Sequence, residues 1–119
     1  LKLTEEQWLD ALKNPRIFDE NALKIVEYVF HQPGYASTAS DIGKYFHVHC
    51  NQVTAWNRKA AKALYLKYHT EPPIDKRGER RYWNLVFDGN PEHVQNKEKH
   101  FYWVLWPNLV KALQAFHLK

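Results

Sequence analysis

The feature that most constrains the fold is a pair of helical segments in the middle of the chain, separated by a short turn. Ser40 and Asp41 can cap a short helix that runs through Phe46. Positions 47–50, "HVHC", make a turn without the usual glycine, and Asn51 can cap a longer helix. Its apolar residues recur at three- and four-residue intervals and are Val53, Trp56, Ala60, Leu64 and Tyr68. The spacing predicts a helix-turn-helix whose second helix serves for recognition.

Two further helices are expected before this unit. Thr4 begins the first as an N-cap, and Gln7 completes a capping box with it before the helix ends at Asn14-Pro15. The second helix follows Asp19 and stops at the turn "HQPGYAS". Apolar residues at helical spacing give each helix a buried face.

The C-terminal third predicts two strands and a last helix. "RRYWNLVF" alternates, with Trp83, Leu85 and Phe87 on one face, and "HFYWVLW" is a second strand. Pro107 suits the first turn of the last helix. The expected fold is α+β and mostly helical, a winged-helix-like helix-turn-helix with a two-stranded wing and flanking helices. We expect residues 1–119 to form one domain.

Charge is distributed unevenly along the chain. The net charge is +4, and the stretch from Ala55 to Arg81 holds eight Lys or Arg against three acids. A one-sided basic field attracts nucleic acid, although a solvated helix face is the competing interpretation. No apolar run is long enough to span a bilayer, no signal peptide is evident, and a lone Cys50 excludes an internal disulfide. We expect a cytoplasmic protein that does not bind membranes.

The basic segment supplies the candidate DNA contacts. Side chains near the start of the recognition helix are placed to reach base edges, although Asn51 is equally explained as an N-cap. Basic side chains along that helix and the following loop can neutralise phosphates. The first group is Asn51, Gln52, Asn57 and Arg58, and the second is Arg58, Lys59, Lys62, Lys76, Arg77, Arg80 and Arg81.

Metal and catalytic chemistry are not expected. The cluster "HVHC" lies on one tight turn, where ligands rarely converge on a tetrahedral ion, and no second cluster follows. The chain has no G-x-S-x-G motif, no phosphate-binding glycine loop and no paired carboxylates. We therefore expect a binding domain without a cofactor.

The pairing of "RRYWNLVFDG" with "FYWVLWPNLVKAL" resembles a stretch of domains fused to HNH nucleases in modification-dependent, type IV restriction endonucleases. It is most similar to the sulfur-binding domains that recognise phosphorothioate DNA. The resemblance covers the C-terminal third and the helix-turn-helix layout. It implies a double-stranded DNA partner that carries the sulfur modification, and a fused or associated HNH nuclease for bacterial defence. His69, Arg77, Arg80 and Arg81 are also candidates for reading the bases around a modified phosphate.

The resemblance also implies an apolar pocket for sulfur, made by a ring-proline pair and a small residue one helical turn later. It maps onto Trp106, Pro107 and Val110, with Tyr102 or Tyr82 as walls. Two positions depart from the family pattern, which commonly has Arg at position 106 and a residue smaller than Val at position 110. A purely structural role for Trp106 and Pro107, as strand end and first helical residue, remains open.

Two other functions remain open. The first is a winged-helix reader of methylated bases with an aromatic cage built from Trp83, Tyr102 or Trp103. The second is a protein-interaction module with no DNA role, whose exposed rings dock a partner.

Overall fold

The computed structural model describes residues 3–72, 74, 77–88 and 102–118, and these form an α+β fold of six α-helices, one 3-10 turn and three strands. The helices are α1 (Glu5–Leu12), α2 (Glu20–Phe30), α3 (Ala39–Phe46), α4 (Cys50–Tyr68), α5 (Trp83–Val86) and α6 (Pro107–His117). The strands are β1 (Ala36–Thr38), β2 (Phe87–Asp88) and β3 (Tyr102–Leu105), and the 3-10 turn spans Pro33–Tyr35.

The starts of α1 and α2 are as predicted. The Thr4 hydroxyl accepts the Gln7 N–H at 3.1 Å, and the Gln7 side chain accepts the Thr4 N–H at 2.9 Å. The Asp19 carboxylate accepts the Ala22 N–H at 2.9 Å and caps α2. This hydrogen bond is the largest cause that lowers the pKa of Asp19. Each cap satisfies N–H groups that the first helical turn leaves without partners.

The caps of α3 and α4 differ from the prediction by two residues each. Thr38 caps α3, since its hydroxyl accepts the Asp41 N–H at 3.1 Å, and Ser40 and Asp41 lie within the helix. His49 caps α4 through Nδ1, which accepts the Asn51 N–H at 3.0 Å. The cap prediction for Asn51 was therefore wrong. A histidine nitrogen served where sequence rules favour a shorter polar side chain.

A glycine inside α3 shapes the turn between α3 and α4. A Cβ on Gly43 would lie 2.6 Å from the Val48 carbonyl oxygen and 3.3 Å from the Cys50 nitrogen. The Val48 N–H donates to the Gly43 carbonyl at 2.9 Å, and His47 adopts a left-handed conformation with φ 60°. In many helix-turn-helix units a glycine in the turn allows the two backbones to approach closely. Here Gly43, within α3, allows the backbone of Val48 to Cys50 to pack against it.

The sheet has three antiparallel strands in the order β1-β3-β2. The predicted pairing of the last two strands is present between Phe87 and Leu105, but β1, which pairs Ser37 with Trp103, was not predicted. β1 has three residues and no run of β-branched side chains, so its sequence shows no pattern that predicts a strand.

Half of the predicted strand over positions 80–87 is the short helix α5. The Leu85 N–H donates to the Tyr82 carbonyl and the Asn84 N–H to the Arg81 carbonyl, both at 3.0 Å. Leu85, Val86 and Phe87 are all buried, which alternation across a two-faced strand does not allow. Packing of this segment against the rest of the fold therefore determined its structure, although its apolar residues alternate as in a strand.

The core lies between the helices and one face of the sheet. Trp103 and Leu105 point into it as predicted, and the Trp103 ring lies 5.0 Å from the Phe87 ring. α6 packs against α1, and the Asn108 side-chain amide donates to the Leu3 carbonyl at 3.1 Å. α5 packs against α4 and so brings the segment after the basic loop onto the predicted recognition helix. Among the described helices, none has the length and apolar character needed to cross a membrane.

Candidate nucleic-acid interface

Three cations converge on two tyrosines where α5 meets α4. The Lys62 ammonium lies 5.5 Å and the Arg58 guanidinium carbon 5.9 Å from the centroid of the Tyr82 ring. The Arg80 guanidinium carbon lies 5.1 Å from the centroid of the Tyr65 ring. The two rings meet edge to face at 6.2 Å. We call these five residues, Arg58, Lys62, Tyr65, Arg80 and Tyr82, the Tyr82 cluster.

Arg80 connects the two rings of the Tyr82 cluster. Its guanidinium donates a long hydrogen bond of 3.5 Å to the Tyr82 hydroxyl while stacking near Tyr65. This hydrogen bond is the largest cause that raises the pKa of Arg80, so the side chain is a permanent cation. Cation–π contacts of this kind orient the charges while leaving most of each cation in solvent.

The positive charge of the Tyr82 cluster is not neutralised locally. Among the described residues, Arg58, Lys62 and Arg80 have no carboxylate within 4.0 Å, although Glu71 acts on Arg80 at longer range. All three cations are exposed. Charges of one sign held around the same pair of rings repel one another, and an anion placed between them relieves that repulsion. The arrangement is therefore suited to binding phosphate groups.

The start of α4 carries the predicted base-reading residues on its surface, with one exception. Asn51 and Gln52 are exposed in the first turn of the helix. Asn57 is only 3% exposed, and its amide nitrogen has no hydrogen-bond partner in the described structure. The assignment of Asn57 to DNA contact was wrong, because it lies on the helix face that carries Val53 and Ala60 into the core.

Two further candidate DNA contacts, Lys59 and His69, lie on α4 and at its C-terminal end. Lys59 is exposed and forms an ion pair with Asp19 at 3.2 Å, so it joins α4 to the start of α2. His69 ends α4 in a left-handed conformation with φ 55°, and its N–H donates to the Tyr65 carbonyl. Its side chain remains exposed on the way into the basic loop.

The basic loop after α4 folds back as a small hairpin. Ile74 and Arg80 form an isolated antiparallel bridge, and Gly78 takes a φ of 84° in the turn between them. Arg77 is exposed and lies 3.9 Å from Glu79, and Arg81 is half-buried. Lys76 lies outside the described residues. The hairpin places the Arg80 side chain against α4.

The predicted sulfur pocket is only partly assembled. Trp106 is half-buried, and its Nε1 donates to the Asn84 carbonyl at 3.2 Å. Pro107 is exposed as the first residue of α6, whereas Val110 is 9% exposed and belongs mainly to the core. Tyr102 is half-buried at the start of β3, four residues of extended chain before Trp106, which corresponds to about 13 Å along the backbone.

The turn of α5 connects Trp106 to the Tyr82 cluster. Asn84, which accepts the Trp106 hydrogen bond, follows Tyr82 by two residues, so their Cα atoms are at most about 7 Å apart. Tyr82 itself is engaged with cations, whereas Trp106 and Pro107 present apolar surface nearby. The basic surface around Tyr82 and the apolar surface of Trp106 and Pro107 therefore both lie next to α5.

Sequence reasoning missed Tyr65, the second ring of the Tyr82 cluster. Arg58, Lys62 and Tyr65 follow one another at i, i+4 and i+7, which places them on one face of α4. That spacing was visible in the sequence. What could not be read there was the position of Tyr82, because α5 was taken for a strand.

The aromatic residues proposed for a methyl-base cage do not come together in the described structure. Trp103 is buried against Phe87 in the core and offers no free ring face. Tyr102 is half-buried at the start of β3. The side chain of Trp83 lies outside the described part of the chain.

A second surface lies between α2 and α3. An open groove of about 530 Å³ is lined by Tyr28, Tyr45 and Phe46, whose rings contact one another at centroid distances of 4.5 to 5.8 Å. Lys24 borders it, with its ammonium 5.1 Å from the Phe46 ring. This groove is apolar, in contrast with the Tyr82 cluster.

Comparison with known proteins adds no relative to these observations. No family model, no curated protein and no solved structure matches the chain. Within the described residues, no group of three or more His, Cys, Asp or Glu side chains is placed to hold a metal ion. The assignment of function therefore depends on the geometry of the site.

Proposed function

We propose that this domain binds double-stranded DNA, with the Tyr82 cluster on the phosphate backbone. The observation that carries the proposal is the convergence of Arg58, Lys62 and Arg80 on one pair of tyrosine rings, with no carboxylate of the described residues within 4.0 Å of these cations. Cations that are positioned but not paired gain most from a polyanion, because binding releases its condensed counterions.

We further propose that the fold is a winged helix, with α4 as the recognition helix. The order α2, β1, α3, α4, α5, β2, β3 and the strand order β1-β3-β2 support this proposal. α4 has 19 residues, a length of about 28 Å, so its first turn can enter a major groove while its later turns stay over the backbone. Asn51 and Gln52 then lie where base edges are read, and Arg58 and Lys62 lie where phosphates pass.

The finer proposal is recognition of phosphorothioate DNA at Trp106 and Pro107. Sulfur is larger, more polarizable and more weakly hydrated than the oxygen it replaces. Pressing an oxygen against apolar surface without a new hydrogen bond costs roughly 2–7 kcal/mol, and sulfur loses less, so the surface discriminates by rejecting oxygen. The proximity of exposed Pro107 and half-buried Trp106 to the Tyr82 cluster supports the proposal. In this scheme the domain is a non-catalytic targeting module for an HNH nuclease carried elsewhere in the polypeptide or by a partner.

DNA binding is tested by fluorescence anisotropy on a short duplex over a series of salt concentrations. The double variant R58Q/K62Q should bind more weakly and lower the slope of log affinity against log salt by about two, one for each lost phosphate contact. The matched control K13Q/R16Q removes two exposed cations from the end of α1 and the turn after it, and it should bind like the wild type. If the wild type fails to bind any duplex at low salt, the proposal is rejected.

Sulfur preference is tested by competition between phosphorothioated and unmodified duplexes of the same sequence. The wild type should prefer the sulfur duplex, and P107E should lose that preference, because a hydrated carboxylate replaces the apolar surface that favours sulfur over oxygen. Charge repulsion from Glu acts on both duplexes alike and lowers both affinities. Glu is well tolerated in the first turn of a helix, so this variant should fold, and circular dichroism checks that it does. Equal affinity of the wild type for the two duplexes would reject sulfur recognition and leave DNA binding standing.

The competing class is a protein-interaction module. The aromatic groove between α2 and α3 favours it, because an apolar surface of this kind is common where a partner binds. An absence of DNA binding at low salt, with the domain folded, would make this class preferable.

A further inference from the structure

One exposed apolar side chain stands beside the Tyr82 cluster without a role in the core. Ile74 is 64% exposed, although it is a large β-branched residue in an otherwise polar and basic loop. Isolated exposed aliphatic residues are common on protein surfaces, so exposure alone indicates nothing. The position of Ile74, paired with Arg80, is what indicates a role for its side chain.

The bridge between Ile74 and Arg80 fixes the direction of both side chains. Residues directly opposite each other in an antiparallel pair point to the same face, with Cβ atoms about 5 Å apart. The Arg80 side chain on that face reaches the Tyr65 and Tyr82 rings. Ile74 therefore stands on the same side of the hairpin as the cations of the Tyr82 cluster, and any polyanion bound by Arg80 passes close to it.

The base of the hairpin is anchored, so this position is held by the fold. Thr70 and Pro72 are buried where the loop leaves α4, and Arg80 and Tyr82 hold the returning strand against the helix. DNA has two apolar components next to its phosphates, which are the deoxyribose and the groove edges of the bases. If the Tyr82 cluster binds phosphates as proposed, the Ile74 side chain faces these components.

We propose that Ile74 is a DNA-contacting residue that packs against the sugar and base edges in the groove beside the phosphates bound by Arg80. This inference rests on the proposed DNA binding. It adds to that binding a salt-independent contact, because burial of apolar surface releases water and no counterions. Aliphatic side chains serve in this way in many groove-binding proteins.

The test compares four proteins on the same duplex by anisotropy at several salt concentrations. I74S should bind about tenfold more weakly than the wild type, as expected for loss of most of an isoleucine burial, with an unchanged salt slope. I74V, which keeps most of the apolar surface, should stay within about threefold of the wild type. R80Q should lower the slope by about one.

The matched control is L118S, which removes an apolar side chain that is 87% exposed at the end of α6, a helix that packs on α1 and α2. It should bind like the wild type. If I74S binds as L118S does, or changes the salt slope, the inference is overturned while the proposed function stands. If the wild type itself fails to bind DNA, the proposed function fails and the inference fails with it.

Discussion

At the scale of single residues, buried polar groups determine which side chains are available to a ligand. Asn57 was a natural candidate for base reading from its place in α4, yet it faces the core with an amide nitrogen that has no protein partner in the described structure. Asn84 lies in a segment that was predicted to be a strand, yet its backbone carbonyl oxygen accepts a hydrogen bond from the Trp106 indole N–H. Residue type alone suggests a polar contact, and the helix face decides where that contact is made.

Tyr68 allows a residue-scale prediction on pH. Burial, together with a 2.7 Å hydrogen bond to Asp10, raises the pKa of Tyr68 from 10.0 to about 12. Because the folded state holds this proton more tightly than the unfolded chain, the associated stability is present below pH 10 and is lost as the pH rises towards about 12.

The measurement is a tyrosinate absorbance titration of the folded protein. The wild type should show a component that ionises near pH 12, and Y68F should lack it. Y45F removes an exposed phenol and serves as the control, because the late component should remain in that variant. Persistence of the late component in Y68F would contradict the assignment.

At the scale of elements, most of the architecture could be predicted from caps and apolar spacing. The starts of α1, α2 and α6 follow from Thr4, Asp19 and Pro107, since each of these residues marks a helix start through local chemistry. The sequence could not predict β1 or α5, because each is defined by the surface on which it packs. The Tyr82 cluster depends on α5, so its cations were expected as phosphate contacts while their convergence on two rings was not.

Gly43 allows a prediction for the helix-turn-helix. G43A should destabilise the domain by about 1–3 kcal/mol, although alanine is the better helix former, because the new methyl group meets the Val48 carbonyl oxygen at 2.6 Å. Urea unfolding measures the difference. K44A changes an exposed neighbour on the same helix and should have little effect. Stability of G43A equal to or above that of the wild type would show that the turn can move aside at no cost.

At the scale of the whole molecule, the elements proposed to bind DNA depend on a core to which each of the described helices contributes. Trp8 of α1 is buried and packs against Phe18, with ring centroids 6.4 Å apart, far along the chain from the Tyr82 cluster. Because a single small domain unfolds as one unit, damage at this position should reach the distant surface through loss of folding.

W8A should therefore abolish DNA binding without touching the interface. Removal of a buried tryptophan costs about 3–5 kcal/mol, a large part of the 5–15 kcal/mol that stabilises an ordinary domain. Near-ultraviolet circular dichroism and anisotropy should report the same loss, and E6A, an exposed change on α1, should preserve both signals. Retained DNA binding in a W8A protein whose α1 alone has frayed would show that the helix is not part of the cooperative unit.

The contact between α1 and α6, fastened by the Asn108 amide on the Leu3 carbonyl, has a consequence during synthesis on the ribosome. About 95 residues separate the end of α1 from the start of α6, so at ordinary translation speeds α1 waits roughly 5 to 20 s for its partner. Until then the face of α1 that packs on α6 has no cover, and the nascent chain exposes apolar surface that a chaperone can bind. Burial of the first helix is therefore completed only by a helix that is synthesised much later.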